Sequence, residues 1–126
     1  MHATLIRQED APRFEVHGAK VVGYASPSRG SGSVAVWRVT LEAGAQSPLH
    51  SLDVDEVFVC LRGAAEFALG AQRLQVREGD ALTVLAGTQF RFTVLGADAF
   101  EAVACVRAGC QATVGDGAPF SPPWAL

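Results

Sequence analysis

From Phe14 to Val114 the chain alternates apolar and polar side chains with a period of two. Trp37, Val39 and Leu41 are set against Arg38, Thr40 and Glu42, and Phe90, Phe92 and Val94 against Arg91 and Thr93. No window of helical length carries apolar residues at three-to-four-residue spacing, so helix should be scarce. Strands are predicted over 33–42, 64–69, 73–77, 81–85, 89–95 and 99–107, with a last short one over 111–114. Residues 14–25 read as one broken strand or a short hairpin around His17-Gly18. Residues 64–77 read as a hairpin turning at Gly70. At least roughly eight short strands at close spacing predict an all-β sandwich or barrel. The tail, 117–126, is too rich in proline for a regular helix, and Phe120 and Trp124 should fasten it to the body.

Composition narrows this picture. With 126 residues, one domain spanning 1–126 is expected, large enough to bury a core without staples. A net charge of −3 with few charged residues argues against a polyanion-binding surface, so no nucleic-acid partner is expected. The three cysteines, Cys60, Cys105 and Cys110, form no CxxC pair and are odd in number, which points away from a disulfide framework or a cysteine zinc site and towards a reducing, cytoplasmic setting. Neither a signal-peptide pattern nor an apolar run of membrane-spanning length is present, so no membrane association is expected.

Turn chemistry, a strand pattern and chemically capable side chains coincide in residues 44–63. Gly44 opens a proline-containing turn, His50 and Glu56 stand six residues apart, and an apolar run ends at Gly63. This passage resembles the first signature motif of the cupins, G-x5-H-x-H-x3-E-x6-G, through Gly44, His50, Glu56 and Gly63. Gly79, Asp80 and Gly87 resemble the second, G-x5-P-x-G-x2-H-x3-N. The resemblance covers about 34–95 and implies a double-stranded β-helix, or jelly-roll barrel. Two of the family's usual four metal-ligand positions are not retained. Leu52 stands where the second histidine would be and Phe90 where the second motif has its histidine, while Leu85 and Val94 replace that motif's proline and asparagine.

His50, Leu52, Glu56, Phe58 and Cys60 share one parity, and the resemblance makes theirs the inner face, joined by Phe90 and Phe92 from the second motif and by Trp37. One imidazole and one carboxyl in a wall of that composition suit an apolar pocket for a small organic ligand. The expected function is therefore binding or sensing of a small molecule, without the family's four-ligand metal site. A second reading is a metal-dependent oxygenase or isomerase in which His50, Glu56 and a non-standard third ligand hold a divalent ion; Gln46 is the first candidate, then Asp53, Asp55 and Gln89, with His2 and His17 if the fold brings them in. Without a metal, His50 and a desolvated Glu56 are candidates for acid–base work. A third reading is a structural subunit with a filled barrel. Cys60 is expected to be an inert buried thiol. Outward-facing Val57, Val59 and Leu61 form an apolar strip that wants a cover, from another strand of the same fold or from a second subunit; of the two, a homodimer is expected.

Overall fold

A computed structural model describes residues 2–126. Its strands are β1 (Arg13–Val16), β2 (Ala19–Ala25), β3 (Val34–Leu41), β4 (His50–Leu52), β5 (Glu56–Arg62), β6 (Ala64–Leu69), β7 (Gln72–Arg77), β8 (Ala81–Val84), β9 (Arg91–Leu95), β10 (Phe100–Arg107) and β11 (Ala112–Val114). The only helical pieces among the described residues are three 3-10 turns, at Gln8–Asp10, Pro27–Arg29 and Pro123–Ala125. Among the described residues no helix is long and apolar enough to cross a membrane.

Six strands form one sheet in the order β1-β2-β3-β10-β5-β8, all pairs antiparallel. The facing layer consists of β7-β6-β9 and β11-β4, stitched together where Gln46 bridges Thr93 and His50 bridges Phe90. This is the jelly-roll barrel that the cupin resemblance implied, one of the all-β forms that the period-two pattern predicted, with the broken segment 14–25 resolved as the hairpin β1–β2. Gly63, between β5 and β6, shows why one matched glycine is needed. It sits at φ 74°, and a Cβ there would lie 2.2 Å from the Ala99 carbonyl oxygen.

The two layers bury their inner faces against each other. Central strand β10 carries Ala102 and Ala104, both fully buried, and Ala104 lies between Trp37 and Phe58 in the register. Its small side chains leave room for the rings around it. Phe58, Phe67, Phe90, Phe92 and Phe100 then fill one part of the barrel, with Phe67 stacked on Phe92 at 4.9 Å and 14°. Elsewhere the filling is incomplete, and the candidate site lies there.

Candidate functional site

The segment predicted as one strand carrying His50 and Glu56 is two strands. β4 pairs with β11, β5 lies between β10 and β8, and a three-residue turn, 53–55, separates them. The turn is braced by its own acidic side chains: Asp53 Oδ1 accepts from Gln111 N–H (2.7 Å) and Asp55 Oδ1 from Ala86 N–H (2.8 Å). It therefore preserves the parity, and His50, Leu52, Glu56 and Phe58 all face the same cavity.

His50 is held in a fixed tautomer. Its backbone exchanges hydrogen bonds with Phe90 (3.0 and 2.8 Å), its ring packs on the Phe90 ring at 4.3 Å, and Nδ1 lies 2.7 Å from the Pro48 carbonyl oxygen. A carbonyl oxygen only accepts, so Nδ1 carries the hydrogen and Nε2 is the nitrogen left for other partners. Burial pushes the imidazole below its ordinary value of 6.5, against the opposing effect of the Pro48 hydrogen bond, and His17 lowers it further. Near neutral pH the ring is uncharged, with a lone pair on Nε2.

Glu56 is 4% exposed, and its Oε1 has no hydrogen-bond partner. Desolvation raises its carboxyl from 4.5 to about 8. A carboxylate that a partnered cation would hold ionised is here a neutral acid at pH 7. Trp124 contributes a second bare polar atom, the buried indole Nε1. It comes from the tail, where Arg29 donates to the Trp124 carbonyl and Ser26 and Ser28 contact the Leu126 oxygen, and its ring meets Trp37 and Phe14 edge-on at 6.2 and 6.0 Å.

Between these groups lies a cavity of about 120 Å³. β3 supplies Trp37, Val39 and Leu41; the facing layer supplies His50, Leu52, Phe92 and Ala112; β5 supplies Glu56 and Phe58. Exposed His17, from the β1–β2 turn, and Phe120, from the tail, also border it. Among the described residues no arginine or lysine belongs to the wall.

Six of the eight residues expected in the pocket are therefore there: His50, Leu52, Glu56, Phe58, Phe92 and Trp37. Two are not. Cys60 lies beyond the cavity, 1% exposed, its thiol donating to the Gly63 carbonyl at 3.4 Å and raised by burial, as an inert thiol should be. Phe90 points inward but is 1% exposed, enclosed by His50, Phe58 and Phe67. Sequence reasoning assigned Phe120 and Trp124 a fastening role only. Periodicity had no means of placing a proline-rich tail on the cavity wall, or the β1–β2 turn beside it.

The donors present do not fit the family's metal. Gln46 is exposed, off the wall, and donates to Thr93 Oγ1 at 3.0 Å; Asp53 and Asp55 are engaged in the turn; Gln89 and His2 are exposed and off the wall. His17 alone of the proposed third ligands borders the cavity, at its exposed edge. Among the described residues no three His, Cys, Asp or Glu side chains form a metal-holding group.

Comparison with known proteins returns one consistent answer about the fold. The cupin-domain family profile matches residues 37–106. No curated protein sequence matches the chain. Among solved structures, the polyketide cyclase RemF from Streptomyces resistomycificus superposes with a TM-score of 0.73 at 12% identity, covering 83% of this chain and 79% of that one. An RmlC-like cupin from Shewanella frigidimarina gives 0.69 at 10% identity, covering 82% and 88%. A sugar phosphate isomerase of the cupin superfamily from Silicibacter pomeroyi gives 0.71 at 17% identity, covering 89% and 82%.

Proposed function

The chain belongs to the cupin domain family, and within that family we propose that it binds a small molecule in the barrel cavity beside His50 and Glu56, without a resident metal. The observation that carries this reading is Glu56 Oε1. It belongs to a buried side chain that lines the cavity and has no partner among the described residues, and such atoms are satisfied in nearly all native structures. A bound molecule supplies the missing partner. The phenylalanine cluster fills only part of the barrel, and the remaining void argues against a purely structural subunit. A cyclase and an isomerase share this fold at low identity, so the fold does not choose a chemistry.

Two further parts of the reading concern setting and assembly. All three cysteines are free, which supports a reducing, cytoplasmic location. On the outer face of the large sheet, Val59 lies beside Val103 and Val57 beside Cys105, with Leu61 and Val34 also exposed. A second copy of the chain covering this face would make a two-fold dimer.

The test of the binding site combines elemental analysis with a thermal-shift panel of small organic molecules on untagged protein. A ligand present at a hundred times its Kd stabilises by about 3 kcal/mol, which is roughly 10 °C in a domain of this size. The expected result is less than stoichiometric metal, and shifts that disappear when Val114→Phe fills the cavity. Stoichiometric iron, zinc, nickel or manganese that is lost in His50→Ala would overturn the metal-free reading.

A further inference from the structure

The outer face of the large sheet carries a charge pattern as well as an apolar strip. At its centre lie neighbouring strands β10 and β5, flanked by β3 and β8. On β10 the buried residues Phe100, Ala102, Ala104 and Val106 alternate with Glu101, Val103, Cys105 and Arg107, which form the outward set. Val103 stands level with Val59 of β5, and Cys105 with Val57. One step further the ladder is irregular: Ala102 pairs with Cys60 but Glu101 with Arg62, so Leu61 and Arg62 together oppose one residue. Such a bulge interrupts the alternation of a strand. Arg62 would otherwise share the parity of buried Phe58 and Cys60, whereas both Leu61 and Arg62 are exposed. The bulge thus sets a guanidinium level with the Glu101 carboxylate at the margin of the face. Within the chain the two are not an ion pair. Glu101 Oε1 meets Arg38 Nε at 3.6 Å, and among the described residues no carboxylate lies within 4 Å of Arg62.

Resting on the reading of this face as a dimer interface, we propose that its two-fold axis runs along the strands between β10 and β5, so that Glu101 of each copy pairs with the partner's Arg62. Sheets packed face to face lie about 10 Å apart with strands aligned to within about 30°. The axis relating two identical sheets in this way lies in the plane of contact, either along the strands or across them. Along the strands, each β10 lies over the partner's β5 at the same level, because the axis leaves the level unchanged. Val103 then meets the partner's Val59, Cys105 meets the partner's Val57, and Glu101 meets the partner's Arg62. The two ion pairs are equivalent, as an isologous contact requires, and both charged side chains are long enough to follow the packing angle. An axis across the strands would instead bring the partner's Arg107 to a carboxylate already flanked by Arg38 and Arg62, crowding three guanidiniums around one acid. The face is complementary in charge to itself in the first arrangement only, and this favours a second copy of the chain as its occupant.

Charge reversal in separate chains tests this, because only contacts between copies respond to mixing. Glu101→Arg and Arg62→Glu are purified separately, and their sedimentation velocity is compared with that of the unaltered protein, with circular dichroism to confirm the fold. Each variant alone places like charges at both symmetric contacts and should raise the dimer Kd by roughly a hundredfold or more. An equimolar mixture should recover the dimer, with native mass spectrometry showing one chain of each kind, since the mixed dimer has one native pair and one reversed pair. A mixture that dimerises no better than its components, or single variants that dimerise as tightly as the parent, would overturn the assigned axis. If the charge variants leave the dimer intact while Val59→Glu dissociates it, the face remains the interface and only the axis falls. An unaltered protein that is monomeric at millimolar concentration would overturn both the dimer and its axis.

Discussion

Replacing Glu56 by Gln should make the protein more stable, by an amount that depends on pH in a defined window. The side chain is 4% exposed with a bare Oε1, and its carboxyl stands at about 8 instead of 4.5. Below pH 4.5 the acid is protonated in both the folded and the unfolded chain and costs nothing. As pH rises through the window, the unfolded chain gains free energy by ionising while the folded one stays protonated, so stability is lost until about pH 8, where both are ionised. Each pH unit changes the folding equilibrium constant by up to tenfold, and across the whole window the loss is on the order of 5 kcal/mol. That is comparable with the entire stability of an ordinary domain. Glutamine has nearly the same shape and never ionises, so the difference between variant and parent isolates this contribution. His50 has the opposite sign: its lowered value removes stability as pH falls below 6.5, but it does so in both proteins and cancels in the difference. Urea unfolding at pH 5, 6, 7 and 8, followed by tryptophan fluorescence, measures the quantity directly. The variant's advantage should be smallest at pH 5 and grow at every step to pH 8. A difference that stays flat from pH 5 to 8 would refute the reasoning, because it would mean that Glu56 ionises in the folded protein as it does in water.

Other perturbations test other parts of the structure. Gly63→Ala should cost more than about 2 kcal/mol in chemical denaturation, since φ 74° and the Ala99 carbonyl both oppose a Cβ; Gly44→Ala, at φ 78° with nothing within 4 Å, should cost only about 1 kcal/mol, and equal costs would show that the contact is relieved at no expense. Val59→Glu should shift the protein from dimer to monomer in light scattering after size exclusion without changing its fold, and a parent that is already monomeric would remove the proposed interface. The double substitution Leu52→His/Phe90→His should create zinc binding measurable by calorimetry that the parent lacks. Its absence would indicate that the second layer no longer presents those positions to His50 and Glu56.

The fold was legible because it depends on local patterns that recur along the chain. Strand alternation, glycines at turns and the spacing of Gly44, His50, Glu56 and Gly63 all act over fewer than about twenty residues, which is the range at which sequence reasoning is strong. The parity of His50 and Glu56 survived even though the strand carrying them is broken, because Asp53 and Asp55 brace a three-residue turn that returns the chain to the same face. The rest of the site was illegible for a physical reason. Whether an inward-facing ring lines a void or fills it is set by its neighbours on other strands: Phe92 and Phe90 share a parity, yet Phe92 borders the cavity and Phe90 is enclosed by His50, Phe58 and Phe67. The same holds for Trp124, whose contribution depends on contacts that hold the tail to residues nearly a hundred positions earlier.

The replacement of ligand positions by Leu52 and Phe90 has a consequence for charge. A metal beside Glu56 and His50 would favour the carboxylate and draw on the imidazole lone pair, giving both residues a charged or coordinated state. On the metal-free reading, with Phe90 packed on His50 at 4.3 Å and Leu52 on the wall, there is no such compensation, and desolvation is the largest influence on both groups. Each responds by discarding its charge, the acid upward and the base downward. On the metal-free reading proposed above, Leu52 and Phe90 would do more than remove donors: they would leave two groups whose charge burial disfavours, in a mostly apolar wall that also carries Ser47 and His17. On that reading a charged ligand would need to bring its own counter-charge into the cavity, because no arginine or lysine among the described residues lines it.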